Sequence, residues 1–183
     1  VERLGWFGLG LVGIVAVAWA LPFPTFQGGF TQELWGTNPG FMGGIAFAPD
    51  GDVWVTLCAA SDGSLCRFDA QSTVTVSGTL VHPLVATVSS NVGCGLTNHP
   101  NGSLYSNTVE GVTRQNGSTG EPAGGPYGPA GNGLGIAVHP VTNELVYAGN
   151  HNGPLFAVDP GFTTSRILST ATVGSFVDGI FFD

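Results

Sequence analysis

Charged residues are scarce in this chain. They make up 9% of its 183 residues, against about 25% in an ordinary soluble domain. Too few charged side chains are present to cover long solvent-exposed helix faces, so a helical bundle or coiled coil is not expected. Lys and Arg number 4 against 12 Asp and Glu, which gives a net charge of −8. That charge repels a phosphate backbone, and nucleic acid is therefore not an expected partner.

Short motifs that would name a reaction are also missing. The sequence has no G-x-S-x-G elbow, no H-E-x-x-H helix and no phosphate-binding glycine loop. Its 3 cysteines form no C-x-x-C pair and no Cys/His pair at zinc spacing, so a structural zinc site has no support. Glycine and proline, in contrast, are abundant, with 30 and 12 residues, and 43% of the chain is hydrophobic. This mixture is typical of many short strands that are joined by tight turns.

The N-terminal segment 4–21 is apolar and uncharged, and Arg3 precedes it. Together with the small-x-small sequence at residues 18–20, this layout is typical of an export signal over residues 1–20 that is cleaved after Ala20. Two alternatives stay open: an uncleaved membrane anchor, because the segment just reaches the length of a bilayer span, or a buried core helix. The signal and the anchor both predict an extracytoplasmic location, secreted, periplasmic or membrane-anchored. A linker or first strand is expected at 21–39.

One motif recurs along the rest of the chain. Each of the first three copies starts at a glycine, runs through a short apolar segment to a turn that contains proline, and continues in a second apolar segment; of a fourth copy the sequence contains only the start. The starting glycines are Gly44, Gly95, Gly135 and Gly179, which are 51, 40 and 44 residues apart. Proline fixes φ in such a turn and glycine accepts positive φ, so each copy predicts a β-hairpin.

Further apolar segments predict additional strands in most copies. Third strands are expected at 64–69, 111–116 and 154–159, and fourth strands at 83–88 and 166–171. In the middle copy, residues 117–126 are rich in glycine and proline, which oppose a hydrogen-bonded ladder, and an irregular loop is predicted there.

Four antiparallel strands in about 45 residues is the period of a β-propeller blade. The sequence therefore predicts an all-β fold with about three four-stranded blades. Their approximate ranges are 44–94, 95–134 and 135–178, and a next blade starts at 179.

The repeated segments resemble a known group of propellers. GIAFAPDGDVWVT with GSLCRFD, and GIAVHPVTNELVYAGN with GPLFAVD, are similar to blades of the NHL, YVTN, gluconolactonase and streptogramin-lyase group. The resemblance covers residues 40–183 and implies a propeller of the six- or seven-bladed type. We therefore expect the chain to form an incomplete, open arc that belongs to a longer protein.

The resemblance also implies where a ligand would bind. In this group ligands bind in the central channel, near the residue before each repeated glycine; these residues are Gly43, Cys94, Leu134 and Asp178. Gluconolactonases hold a divalent cation there with oxygen ligands, and Asp178 matches their Asp-Gly ligand motif, whereas the other three offer no side-chain oxygen. Asp178 is thus the candidate ligand for calcium or zinc, and no other cofactor is predicted. The alternative is a turn-forming aspartate without an ion.

Two histidines occupy equivalent places, since His99 and His139 each precede the proline of a turn. Streptogramin lyases, which this chain resembles, use a channel histidine, and this makes both residues candidate acid–base groups. The alternative is a structural role, because the first copy has Ala48 at this position.

The cysteines allow a disulfide. Cys58 and Cys66 flank a turn-like segment, and in an oxidising compartment they could join two neighbouring strands, which would leave Cys94 over. The alternative is that a cysteine serves as a small buried apolar residue.

Three functional hypotheses follow. The first is a secreted or periplasmic propeller that acts as a binding or interaction scaffold without catalysis. The second is a metal-dependent, gluconolactonase-type lactone hydrolase, and the third is a streptogramin-lyase-like enzyme. The expected partner is a protein or a small molecule at the propeller channel or face, with membrane contact only through an uncleaved N-terminal segment. The scaffold is favoured because blade motifs are clear while no set of polar residues converges on one point.

Overall fold

The described part of the chain is built from β-strands. A computed structural model describes residues 35–36, 42–57, 63–89, 91–131, 134–149, 153–170, 179–180 and 182. Within these ranges the structure has no helix, and so none that could span a membrane. The predicted export signal and, apart from residues 35–36, the predicted linker lie outside the described residues.

The strands of the described residues form three four-stranded antiparallel sheets and one hairpin. The first sheet contains β1 (Met42–Phe47), β2 (Val53–Leu57), β3 (Ser64–Phe68) and β6 (Leu84–Ser89), paired in this order. Between β3 and β6 the chain forms the hairpin of β4 (Val74–Val76) and β5 (Thr79–Val81).

The other two sheets follow the order of the chain. The second sheet contains β7 (Gly95–Asn98), β8 (Ser103–Thr108), β9 (Gly111–Asn116) and β10 (Pro122–Tyr127). The third contains β11 (Ile136–Val138), β12 (Leu145–Ala148), β13 (Leu155–Val158) and β14 (Ser165–Ser169). The predicted all-β class, the third strands and both predicted fourth strands are thereby confirmed.

One predicted element is wrong. The loop predicted over residues 117–126 ends early, because β10 starts at Pro122 and gives the second sheet its fourth strand. β10 lies at the edge of its sheet, pairs with β9 alone and shifts register twice along this pairing. An irregular edge strand tolerates prolines and glycines that a central strand would not, since few of its N–H groups are needed in a ladder. The hairpin β4–β5 has no counterpart among the sequence predictions.

The turn between the first two strands has the same hydrogen bonds in all three sheets. The residue before the turn proline donates its N–H across the turn: Ala48 to Asp52, His99 to Ser103 and His139 to Glu144, at 2.7, 3.0 and 2.8 Å. A residue with positive φ closes each turn: Gly51 (93°), Gly102 (81°) and Asn143 (57°). Asparagine tolerates this left-handed conformation better than most residues. Ala48, His99 and His139 are therefore structurally equivalent.

The first strands of successive sheets lie against one another, β1 against β7 and β7 against β11. Glycine permits this approach. A Cβ atom at Gly44 would lie 2.3 Å from the backbone nitrogen of Leu96, and one at Gly95 would lie 2.2 Å from the carbonyl oxygen of Leu134. Any side chain at these positions would push the strands apart. The glycines that open the first two copies of the motif thus serve close contact between sheets.

Two apolar cores fill the spaces between successive sheets. The core between the first and second sheets contains Ala46, Ala48, Trp54, Leu65, Val92, Leu96 and Leu104. The core between the second and third contains Tyr105, Val112, Ile136, Leu145, Tyr147, Phe156 and Val158. Neighbouring residues of β8, Leu104 and Tyr105, belong to different cores because successive side chains of a strand point to opposite faces. Full burial of a side chain such as that of Leu104 stabilises the folded state by about 1.5–3 kcal/mol.

Candidate functional site

Two of the four residues predicted to line a channel, Cys94 and Leu134, use their main chain for contacts between sheets. The carbonyl oxygen of Cys94 accepts a hydrogen bond from the N–H of Gly44, and the carbonyl of Leu134 lies against Gly95. Gly43 lies within β1. Asp178, the predicted metal ligand, lies outside the described residues. Within the residues that the structure does describe, no group of three or more His, Cys, Asp or Glu side chains is arranged to hold a metal ion.

A buried threonine links the first and second sheets and was not among the sequence predictions. Thr56 is fully buried in β2. Its hydroxyl oxygen accepts a hydrogen bond from the N–H of Gly44 at 2.8 Å and donates to the carbonyl of Cys94 at 3.0 Å. One side chain therefore joins the first strand of its own sheet to the chain that leads into the next sheet.

A buried asparagine repeats this arrangement between the second and third sheets. Asn107 accepts a hydrogen bond from the N–H of Gly95 through Oδ1 at 3.1 Å, and its Nδ2 donates to the carbonyl of Gly135 at 3.4 Å. The third sheet has Ala148 at the corresponding place, where its N–H donates to the carbonyl of Gly135 at 3.1 Å. Thr56 and Asn107 each stand 12 residues after the glycine that opens their copy of the motif, and a polar residue at this matching place is the signal that could have identified both side chains.

Arg67 is one of only 4 basic residues in the chain, and it also joins two sheets. Its guanidinium group forms ion pairs with Asp50 and Asp52, the latter at 2.8 Å. Its Nη1 donates to the carbonyl of Ser118, in the loop after β9, at 2.7 Å. Cζ lies 5.6 Å from the centre of the Trp54 ring, within the range of a cation–π contact. The positive charge is thus held by the first sheet and shared with a loop of the second.

His99 is buried, and both nitrogens of its ring have partners. Nδ1 accepts the N–H of Asn101 at 3.1 Å, so Nε2 carries the proton and donates to the carbonyl of Asn143 at 3.0 Å. The ring also makes edge contacts with Tyr105 and Phe162, with centroids 5.4 and 5.5 Å apart. The imidazole therefore ties the turn of the second sheet to the turn of the third.

His139 has a similar local role in the third sheet. Its Nδ1 accepts the N–H groups of Val141 and Thr142 at 3.2 and 3.1 Å. Its ring lies 4.8 Å from the ring of Phe182. Each histidine thus stabilises its own turn, and these are the contacts of structural histidines. The acid–base role stays a prediction.

The third strand of every sheet leads into an aspartate or asparagine that fixes the following loop. These residues are Asp69, Asn116 and Asp159. The carboxylate of Asp159 accepts the N–H groups of Gly161 at 3.0 Å and Thr163 at 2.8 Å, and also that of Thr164. These hydrogen bonds, the one from Thr164 above all, lower the pKa of Asp159 to about 2. The repeated residue thus acts as a loop cap.

The predicted disulfide between Cys58 and Cys66 is not formed, because Cys66 is a free, buried thiol. Its side chain packs with the apolar cluster on the outer face of the first sheet, and Sγ lies 3.7 Å from the hydroxyl oxygen of Thr87. Cys94, predicted to be left over, is the cysteine that is disulfide-bonded. Cys58 lies outside the described residues. The spacing misled here because the Cys66 side chain is buried against Val55 and Phe68, where it serves as an apolar residue.

A cleft of about 270 Å³ opens between the turns of the first and second sheets. Its lining consists of Phe47, Pro49, Asn98, His99, Pro100, Gly102, Ser103 and Gly117. Phe47 is 65% exposed although it belongs to β1, and its carbonyl accepts a hydrogen bond from Nδ2 of Asn98 at 2.6 Å. We call this the turn-side cleft. It combines exposed apolar surface with backbone polar groups, as a small-molecule site requires.

The corresponding region between the second and third sheets is filled by aromatic rings. Phe162, which has a left-handed backbone with φ of 58°, stacks on Tyr105 with centroids 4.8 Å apart. Tyr127 packs against the same ring at 5.1 Å. In the second sheet, the equivalent loop after β9 contains glycines instead. The carbonyl of Gly117 in this loop accepts the indole N–H of Trp54 at 3.0 Å. The two interfaces are thus built alike but filled differently.

Comparison with known proteins adds no relative. No protein family, no curated protein and no solved structure matches the chain. The resemblance to the NHL, YVTN, gluconolactonase and streptogramin-lyase group therefore stays a prediction from the repeated segments.

Proposed function

We propose that the three sheets are consecutive blades of a β-propeller and that the protein is an extracytoplasmic binding scaffold. The observation that carries this proposal is the contact between successive sheets through their first strands, at Gly44 and Gly95. Four-stranded antiparallel sheets whose first strands converge are the building units of a propeller. Propellers offer a rigid face on which loops and turns present binding groups.

The buried polar side chains support a scaffold over an enzyme. Thr56, Asn107 and His99 each direct hydrogen bonds to backbone atoms outside their own sheet. A general acid or base must instead reach the proton that it transfers on a substrate. Using any of these three groups in catalysis would first break a contact that holds two sheets together.

The location outside the cytoplasm rests on two independent features. The apolar segment 4–21 has the layout of an export signal. Cys94 is disulfide-bonded, and disulfides persist in oxidising compartments such as the periplasm or the extracellular space.

The expected ligand is a protein or a small molecule. The net charge of −8 disfavours nucleic acid, whereas the turn-side cleft offers a concave surface with apolar walls. We expect binding at such clefts between neighbouring turns or at the propeller channel.

The test compares the 183-residue chain with the variant Asp178→Asn, which removes the predicted metal ligand. Both proteins are assayed against a panel of lactones with and without millimolar calcium or zinc, and their unfolding temperatures are measured in parallel. We expect no metal-dependent hydrolysis and no rise in the unfolding temperature with either metal. A metal that bound only the native state would raise that temperature. Hydrolysis that is lost in Asp178→Asn would contradict the scaffold and favour the lactone hydrolase.

The lyase alternative needs its own assay. The 183-residue chain and the variant His139→Ala are incubated with a streptogramin. Ring opening is followed by liquid chromatography with tandem mass spectrometry, because an elimination within a ring leaves the mass of the molecule unchanged. We expect an intact substrate in both samples. Opening by the unmodified chain that disappears in a folded His139→Ala protein would favour the lyase and contradict the scaffold.

A further inference from the structure

The outer strands of the three sheets differ in how their edges are protected. Among the described strands, β6, β10 and β14 each lie at the edge of a sheet, and an edge strand presents a row of N–H and C=O groups to other chains. β10 contains Pro122 and Pro126 and shifts register twice. β14 carries Arg166, which forms an ion pair with Glu144 at 2.8 Å. Proline, irregular pairing and charge all oppose the addition of a further strand.

β6 lacks this protection along most of its length. Its sequence, LVATVS, contains no proline, no glycine and no charged residue, and the one register shift in its pairing with β3 lies at its start. The side chains of Leu84 and Val85 are 43% and 52% exposed. The chain on both sides is uncharged as well, because the sequence has no Lys, Arg, Asp or Glu between Asp69 and Glu110. Of the three described outer strands, β6 is thus the one that is open to pairing.

We propose that β6 pairs antiparallel with β6 of a second copy of this chain across a two-fold axis, so that two four-stranded sheets join into one sheet of eight strands. The edge requires an uncharged, extended partner with N–H and C=O groups of its own, and β6 itself meets this description. A lipid surface does not, because it cannot form hydrogen bonds with an open strand edge. We place the axis at Thr87, an exposed residue in the regular part of the strand.

This association goes beyond the proposed scaffold function, because it uses the outer edge of the first sheet and neither the turn-side cleft nor the propeller channel. Pairing through one strand edge buries a small interface, so we expect a reversible dimer with a dissociation constant on the order of 10 μM.

The test is sedimentation equilibrium of the 183-residue chain at concentrations around this value. The variant Thr87→Lys places two positive charges opposite each other at the axis, and like charges that face each other across antiparallel strands are destabilising. We expect its dissociation constant to rise at least about tenfold. The matched control Leu168→Lys adds the same charge to β14, the outer strand of the third sheet, and should leave the dimer unchanged. Any association through the apolar segment 4–21 is common to both variants and does not affect their comparison.

A charge pair tests the position of the axis. Thr87→Glu should also weaken the dimer, whereas an equimolar mixture of Thr87→Lys and Thr87→Glu should form a mixed dimer, because the facing charges then attract. Circular dichroism establishes that each variant is folded, and if one of them is not, the other is compared with Leu168→Lys alone.

Four results would overturn the proposal. The first is an unmodified chain that stays monomeric at about ten times the expected dissociation constant, which would leave the edge to a different protein. The second is equal dimerisation of Thr87→Lys and Leu168→Lys, and the third is a mixture that associates no better than its two components. The fourth is a monomer that binds phosphatidylcholine vesicles through an interaction that Thr87→Lys abolishes, which would assign this edge to a membrane surface.

Discussion

At the scale of single residues, contacts between the sheets depend on a few polar side chains. Thr56, Asn107, His99 and Arg67 each make a hydrogen bond outside their own sheet. A hydrogen bond of this kind contributes about 1 kcal/mol net, whereas a buried group that loses its partner costs about 1–3 kcal/mol. Removal of such a side chain is therefore expected to lower the free energy of unfolding by more than the about 1 kcal/mol of the hydrogen bond alone.

His99→Ala should destabilise the protein more than His139→Ala. The first substitution removes the hydrogen bonds of the buried imidazole to the N–H of Asn101 and to the carbonyl of Asn143, together with its ring contacts with Tyr105 and Phe162. We expect a loss of about 1–3 kcal/mol in the free energy of unfolding. His139 is less buried, and its Nδ1 accepts hydrogen bonds from its own turn. The substitution His139→Ala should therefore lower the free energy of unfolding less. Urea unfolding of both variants checks this, and equal losses would show that the link to Asn143 is unimportant.

Asp159 should keep its negative charge in strong acid. Its pKa is lowered from 3.8 to about 2, first by the N–H of Thr164. A carboxyl group whose pKa falls on folding stabilises the native state above its unfolded pKa, and this contribution is lost as the pH falls toward the folded value. The variant Asp159→Asn cannot titrate. The difference in unfolding temperature between the two proteins should therefore shrink from about pH 4 to about pH 2. An NMR titration midpoint of Asp159 near 3.8 would contradict the capping role.

Single residues also show what sequence patterns can reveal. The equivalence of His99 and His139 was evident from their place before the turn proline, but the partner of His99 lies 44 positions away, at Asn143. Cys66 was misassigned for the same reason: spacing along the chain does not tell whether a strand residue faces a turn neighbour or the interior.

At the scale of elements, the first strand of each sheet is shaped by its neighbour in the next sheet. Gly44 and Gly95 leave no room for a Cβ atom because backbone atoms of the adjacent sheet stand in its place. Other glycines of the chain serve turns, such as Gly78, which has φ of 82° and open space around it. The two kinds of glycine should respond differently to substitution.

Gly95→Ala should be much more destabilising than Gly78→Ala. A Cβ at Gly95 would lie 2.2 Å from the carbonyl oxygen of Leu134 and 2.5 Å from Oδ1 of Asn107, so the strands must separate at a cost of about 3 kcal/mol. At Gly78 only the left-handed backbone opposes alanine, which costs about 1 kcal/mol. The free energies of unfolding in urea give the comparison. A Gly95→Ala protein as stable as Gly78→Ala would mean that β7 and β11 are not in close contact.

Strands were predictable where hydrophobic residues are bounded by turn residues, as in β3, β9 and β13. β10 was not, because its sequence of prolines and glycines is that of a loop, and only its position at an edge lets it pair. Thr56 and Asn107 were missed because their function depends on the neighbouring sheet, which the local sequence does not specify.

At the scale of the whole molecule, the repeat of about 45 residues and the three sheets agree in number and order. The sequence predicted four strands in the first and third units, since strand length and turn chemistry are local, but it predicted a loop in place of β10 in the second unit. How one sheet contacts the next depends on residues that lie far apart in the sequence. These contacts became evident only from Gly44 and Gly95 and from the polar side chains beside them, those of Thr56 and Asn107.

The contact of successive sheets through their first strands can be measured directly by nuclear Overhauser spectroscopy of the 183-residue chain. A Cβ at Gly44 would lie 2.3 Å from the nitrogen of Leu96, and one at Gly95 would lie 2.9 Å from Cγ2 of Ile136. Cross-peaks should therefore join an α-proton of Gly44 to the amide of Leu96, and an α-proton of Gly95 to the γ2-methyl group of Ile136. The pairing of Ala46 with Trp54 inside the first sheet provides the control. Cross-peaks within the sheet, without those between the sheets, would contradict the arrangement of the sheets as consecutive blades.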